Sequence, residues 1–142
     1  MSVSIPSESL MRGVDAAVPT DFVCRLSVEQ YHQMFRAGIL NEEVPVELLD
    51  GWLVPKMIKN PIHSAMTGIL RDALQQATPR GWHVRVQDPI TLAASEPEPD
   101  LVVVRGDTRD YLARHPGPAD VALVIEVADA TLARDQTTKK RL

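Results

Sequence analysis

The order of local signals in the sequence predicts an α/β or α+β domain, a sheet with helices packed against it. Three observations carry that reading. A capped helix and a longer amphipathic helix stand on either side of a hairpin signal, and an alternating strand and two short, mostly β-branched apolar runs follow them. The third is size and composition: 142 residues, 44% hydrophobic and 24% charged, suit one compact domain with one core. Aromatic residues make up only 4% of the chain, so aliphatic side chains must fill that core.

Residues 1–24 contain Ser2, Ser4, Ser7, Pro6 and Pro19 and hold no sustained apolar period. A flexible leader over 1–24 is expected, with a single domain over 25–142. Ser27 and Gln30 then match a capping box, Leu26 and Tyr31 take the hydrophobic-staple positions, and Gly38 supplies a helix stop. In VPVELLDGWLV, residues 44–54, two apolar arms flank Asp50-Gly51, a dipeptide suited to a tight hairpin turn. Asn60 and Pro61 suit the cap and first position of a second helix. Its apolar residues Ile62, Ala65, Met66, Ile69, Leu70, Ala73 and Leu74 repeat at helical spacing, and Pro79 and Gly81 close it.

The stretch from Trp82 to Gln87 alternates apolar and polar residues as a half-buried strand does, and Pro89 ends it. Two further runs, Asp100 to Val104 and Val121 to Ala128, have the pattern of strands buried on both faces. Residues 131–142 read as a loop and the first turns of another helix. Strand pairing is not legible from this pattern.

Charge and cysteine content exclude several classes. With Lys+Arg 15 against Asp+Glu 19 the formal charge is -4, unlike a protein that coats nucleic acid through a bulk positive charge. Contact with phosphates would be local, through residues such as Lys56, Lys59, Arg71, Arg85 and Lys139. The lone Cys24 rules out an intrachain disulfide and a thiolate metal site, and fits a reducing cytoplasm. No apolar run reaches the roughly 18 residues of a membrane span, and the N-terminus lacks a signal-peptide layout. A cytoplasmic location is expected. No P-loop, G-x-S-x-G elbow or dinucleotide fingerprint occurs.

Two acids stand in unusual places: Asp100 heads an apolar run and Glu126 lies inside one. Burying an ionised carboxylate alone costs several kcal/mol, so each needs a partner. If their strands are neighbours, both converge at one sheet edge, where a hard divalent cation could neutralise them. A backbone N–H or an arginine would serve as well. Glu47, set among apolar residues of the hairpin, is either a third ligand or a residue on a solvent-facing side. Lys139 could meet a phosphate, or belong with Lys140 and Arg141 to a solvated helix end. His63 falls in the first turn of the long helix, whereas His32, His83 and His115 show no metal-ligand spacing.

The ordered pieces VELLDGWLV, NPIHSAMTGIL, VQDPITL, SEPEPDLVVV and LVIEVADATLARDQTTKK resemble the Uma-two family of bacterial endonucleases, within the PD-(D/E)XK superfamily. The resemblance runs from Leu26 to the C-terminus. It implies a restriction-endonuclease-like mixed β-sheet flanked by helices, and a metal-dependent endonuclease that hydrolyses phosphodiester bonds in DNA with Mg²⁺ or Mn²⁺. By position, Asp100 resembles the motif aspartate, Glu126 the second metal ligand and Glu47 the early acid that completes the metal site. The lysine commonly found two residues after the second acid is replaced by Ala128, and Lys139 resembles a migrated lysine, with Lys140 its rival. His63 and Gln87 fall on recurrent positions near the site.

Members of that family continue well beyond the position of Lys139, so a C-terminally shortened version of the fold is expected, with an exposed sheet edge that invites a homodimer. The competing reading is a catalytically silent domain that binds nucleic acid or a protein partner. A hydrolase for another phosphoester would keep the same acids.

Overall fold

The computed structural model describes residues 23–128. Most of the expected leader, the expected helix start over 131–142, Lys139 and Lys140 lie outside the described residues.

Helix α1 spans Val28–Arg36, and its ends form as the local chemistry dictates. The Ser27 side chain accepts from the Gln30 N–H at 3.1 Å, while the Ser27 N–H donates to Gln30 Oε1 at 2.8 Å. At the other end Gly38 has φ +72°, which lets the Gly38 and Ile39 N–H groups reach the Phe35 and Met34 carbonyls at 3.0 and 2.9 Å. This double closure is the Schellman arrangement.

Strands β1 (Val46–Leu49) and β2 (Trp52–Pro55) form the expected antiparallel hairpin, with Leu49 opposite Trp52. Asp50 (φ 48°) and Gly51 (φ 78°) both carry positive φ, as a two-residue type I′ turn requires. Gly51 is further constrained by the chain leading into α1: a Cβ there would lie 2.6 Å from Arg25 Cβ, and the Leu26 N–H bonds the Gly51 carbonyl at 2.9 Å. Helix and hairpin enclose a core of Tyr31, Leu40 and Leu48, against which Leu26 and Leu53 pack.

Helix α2 (Pro61–Ala77) begins at the predicted Asn60 cap with Pro61 at its first position. It packs along β3 (Trp82–Val86), the first strand of an antiparallel sheet ordered β3-β4-β5, with β4 at Leu101–Arg105 and β5 at Val121–Ile125. The central strand β4 is buried from Leu101 to Val104, as its apolar run predicts. Val102 and Val104 pack with Ile90 into a second core that Tyr111 and Val121 flank.

Two expectations change on the sheet and on α2. Strand β5 is not buried on both faces: Leu123 and Val124 are exposed, because β5 is an edge strand that the described residues leave partly uncovered. On α2 the apolar repeat Ile62, Met66 and Ile69 is exposed, whereas His63 and Thr67 are buried.

The segment after Ile90 joins hairpin and sheet. Its Glu96 N–H bonds the Leu48 carbonyl at 2.7 Å, and Ser95 Oγ accepts from the Asp50 N–H at 2.8 Å. The result is a mixed α+β architecture of two helices and two antiparallel sheets among the described residues. No helix there is long and apolar enough to cross a membrane.

Candidate active site

Asp100 immediately precedes β4 and is 5% exposed. A carboxylate so buried needs donors, and two reach the same oxygen. Oδ2 accepts from the Val127 N–H at 2.9 Å and lies 3.0 Å from His63 Nε2. A carboxylate only accepts, so the imidazole Nε2–H is the donor.

His63 is placed by the start of α2. Asn60 is the helix cap, and its Oδ1 accepts the His63 N–H at 2.8 Å, while the His63 carbonyl accepts from Thr67 Oγ1 at 2.8 Å. The cap therefore orients the first turn so that the imidazole reaches the sheet. Its Nδ1 is buried with no hydrogen-bond partner among the described residues, so the ring's bond to Asp100 is the one that fixes it.

The backbone of Asp100 is held from β3. Gln87 has φ +54°, a left-handed conformation uncommon for a residue with a Cβ, and its N–H is shared between the Pro99 and Asp100 carbonyls, each at 3.1 Å. Strain of roughly 1–3 kcal/mol is characteristic of such positions and persists only where the surroundings fix it.

Leu101 pairs with Ile125 at the end of the β4–β5 ladder; Asp100 immediately precedes the first and Glu126 immediately follows the second. The two acids differ in environment: Asp100 is buried and Glu126 exposed. Glu47 is buried at 6% exposure, so it is not on a solvent-facing side of the hairpin. Its Oε2 accepts the Glu98 N–H at 3.1 Å, which ties β1 to the backbone just before Asp100. No group of three or more His, Cys, Asp or Glu side chains among the described residues is placed to hold a metal ion.

A backbone N–H is one of the partners the sequence allows Asp100, and Val127 supplies it; the bond from His63 is what sequence reasoning did not supply. A histidine near the start of a capped helix is visible in the sequence, but its carboxylate partner lies 37 residues away. Also unforeseen is a group around the buried Glu96, where His32, Thr91 and His115 converge from separate parts of the chain. Nearby, burial pushes the Tyr31 phenol up to about 12, helped by the carboxylates of Glu96, Glu98 and Glu47.

No curated protein matches the chain. Among solved structures it is similar to a protein from Anabaena variabilis described as "a putative nuclease belonging to DUF820", with a TM-score of 0.56 and 15% sequence identity. The likeness covers 81% of this chain and 65% of that one, and at such identity it shows the fold alone. The chain thus spans slightly less than two thirds of that protein's length. The Uma2 family model, described as "Putative restriction endonuclease", matches residues 28–142, and the chain belongs to that family.

Proposed function

We propose that the chain is a metal-dependent endonuclease that hydrolyses phosphodiester bonds in DNA, with Asp100 and Glu126 holding Mg²⁺ or Mn²⁺. The observation that supports this reading is that each acid stands one residue beyond the Leu101–Ile125 pair, with Asp100 bonded to His63 and to the N–H of Val127, the residue after Glu126. Family membership supports the substrate class.

The donor set suits the ion. Oxygen ligands favour hard divalent cations, and Mg²⁺ commonly takes one or two carboxylates and fills its remaining positions with water and substrate phosphate. When bound, such an ion supplies charge stabilisation at a phosphoryl oxygen and lowers the pKa of water.

The chain's own residues divide the remaining work. His63 and the Val127 N–H occupy Asp100 Oδ2, and neither bonds Oδ1. The exposed Glu126 is accessible from solvent, where DNA arrives. Glu47 braces the segment that leads into Asp100, and the third-ligand role that the family resemblance gives it is not met by a three-acid cluster among the described residues. Lys139 is the proposed cation that meets the phosphate, with Lys140 as its rival.

Nicking of supercoiled plasmid by the purified chain in Mg²⁺ or Mn²⁺ tests the reading, beside Asp100→Asn and Glu126→Gln. Cleavage by the parent and its loss in both variants is the expected result. A folded but inert parent, or equal cutting by all three, overturns it in favour of a silent binding domain.

A further inference from the structure

Three strand ends lie side by side at the proposed metal site. Val86 of β3 pairs with Leu101 of β4, and Leu101 pairs with Ile125 of β5, so these three residues form the last row of the ladder. Gln87, Asp100 and Glu126 each stand one residue beyond that row. Two of the three are acids, and the third carries a neutral carboxamide.

Gln87 is an unfavourable occupant of its own backbone position. At φ +54° a Cβ crowds the following carbonyl oxygen, so glycine fits there most easily and asparagine next. The Gln87 N–H is shared between the Pro99 and Asp100 carbonyls, but a glycine N–H would make the same two bonds. Nor does the side chain compensate locally, because the carboxamide has no hydrogen-bond partner among the described residues. The residue is half-buried, which leaves it open to solvent and to a ligand. Neither backbone nor side-chain bonding therefore accounts for a glutamine here, and residues held in such conformations cluster where ligands are gripped.

The chemistry of the row narrows the ligand group. Ionised Asp100 and Glu126 only accept hydrogen bonds, and they repel a phosphodiester oxygen unless a cation intervenes. A carboxamide brings two N–H donors and no charge, so it can meet that oxygen without adding to the repulsion.

We infer that Gln87 contacts the substrate, its carboxamide N–H donating to a non-bridging oxygen of the DNA phosphate at the Asp100–Glu126 end of the sheet. The inference rests on the nuclease reading for the presence of a phosphodiester there. The left-handed backbone at Gln87 is then strain kept for a side chain that serves binding rather than the fold.

Two variants of the full chain test this by reading stability and binding together. Gln87→Gly relieves the backbone and removes the donor, whereas Gln87→Met keeps the length and the strain and removes the donor alone. Gln87→Gly should melt a few degrees above the parent, and Gln87→Met close to it. Affinity for a short fluorescein-labelled duplex, read by anisotropy in Ca²⁺, should fall about tenfold in both, equal to about 1.4 kcal/mol. A protein that gains stability while losing affinity is a result that a purely structural role for Gln87 does not give. Unchanged affinity in both variants, or a parent that binds no duplex, overturns the inference. So does a lower melting temperature in Gln87→Gly, which would make the side chain a support of the fold, or a loss of affinity in Gln87→Gly alone, which would assign the effect to the backbone. Plasmid nicking is read separately: nicking by the parent with unchanged affinity in both variants rejects the Gln87 contact alone, and duplex binding weakened in both variants without nicking by the parent rejects hydrolysis alone.

Discussion

His63 Nε2 lies 3.0 Å from Asp100 Oδ2, and each side chain is only 7% exposed. The contact joins the first turn of α2 to the start of β4 and supplies one of two donors to a buried carboxylate. Removing a donor from a buried carboxylate costs roughly 1.5–3 kcal/mol. His63→Ala should therefore lower unfolding free energy by about 2 kcal/mol in urea denaturation, because Val127 alone cannot replace the lost donor. A change within about 0.5 kcal/mol, the size typical of surface substitutions, would show that the imidazole does not hold the acid.

Two glycines separate backbone strain from steric conflict. Gly38 and Gly51 have similar φ, +72° and +78°, but a Cβ at Gly38 meets nothing within 4 Å while one at Gly51 lies 2.6 Å from Arg25 Cβ. Gly38→Ala should cost about 1 kcal/mol through the left-handed conformation alone. Gly51→Ala should cost more, on the order of 2–3 kcal/mol, because the segment entering α1 must also move. Thermal melts of the two variants check the order, and equal losses would contradict the packing at the turn.

What the sequence discloses here is set by distance along the chain. Ser27 with Gln30, Asp50 with Gly51, and Asn60 with Pro61 each act within a few residues, so their cap or turn is legible directly. An acid amid apolar residues likewise announced that Asp100 and Glu126 need partners, although Glu126 proves exposed, and it left Glu47 between a ligand and a solvent-facing residue. It did not name them: Glu98 is 51 residues from Glu47, and His63 is 37 from Asp100. Helical periodicity marked α2 without deciding its buried side, where packing against β3 selects His63 and Thr67 over Ile62, Met66 and Ile69. The apolar run of β5 concealed a different fact, since an edge position depends on which other strands are present. Glu96 is the extreme case, drawing His32 from 64 residues away.

Alkaline stability should report on Tyr31. Its phenol stays protonated to about 12 in the folded chain, against an ordinary value of 10, because burial and the nearby carboxylates of Glu96, Glu98 and Glu47 oppose the phenolate. Between those values the unfolded chain releases a proton that the folded chain retains. Stability from this source is full below pH 10 and is lost as pH rises toward 12. Tyr111 is also raised, chiefly by burial, so Tyr31→Phe should reduce the alkaline slope without abolishing it. Urea denaturation from pH 9 to 12 measures the slope, and an unchanged slope in Tyr31→Phe would place the titrating group elsewhere.

Metal linkage distinguishes the two proposed ligands by their environments as well as by their loss. An ion that binds only the folded chain stabilises it by about 2.7 kcal/mol at one hundred times its dissociation constant. Mn²⁺ should therefore raise the melting temperature of the parent, and both Asp100→Asn and Glu126→Gln should remove most of that rise. Without metal the variants should diverge. Glu126 is exposed, so Glu126→Gln should cost less than Asp100→Asn. Asp100 accepts from His63 and Val127 inside the fold, so Asp100→Asn replaces charge-assisted bonds with neutral ones and should cost about 1–2 kcal/mol. An equal Mn²⁺ rise in all three proteins would place the ion away from both acids, whereas loss in Asp100→Asn alone would remove Glu126 from the ligand set while keeping the buried acid.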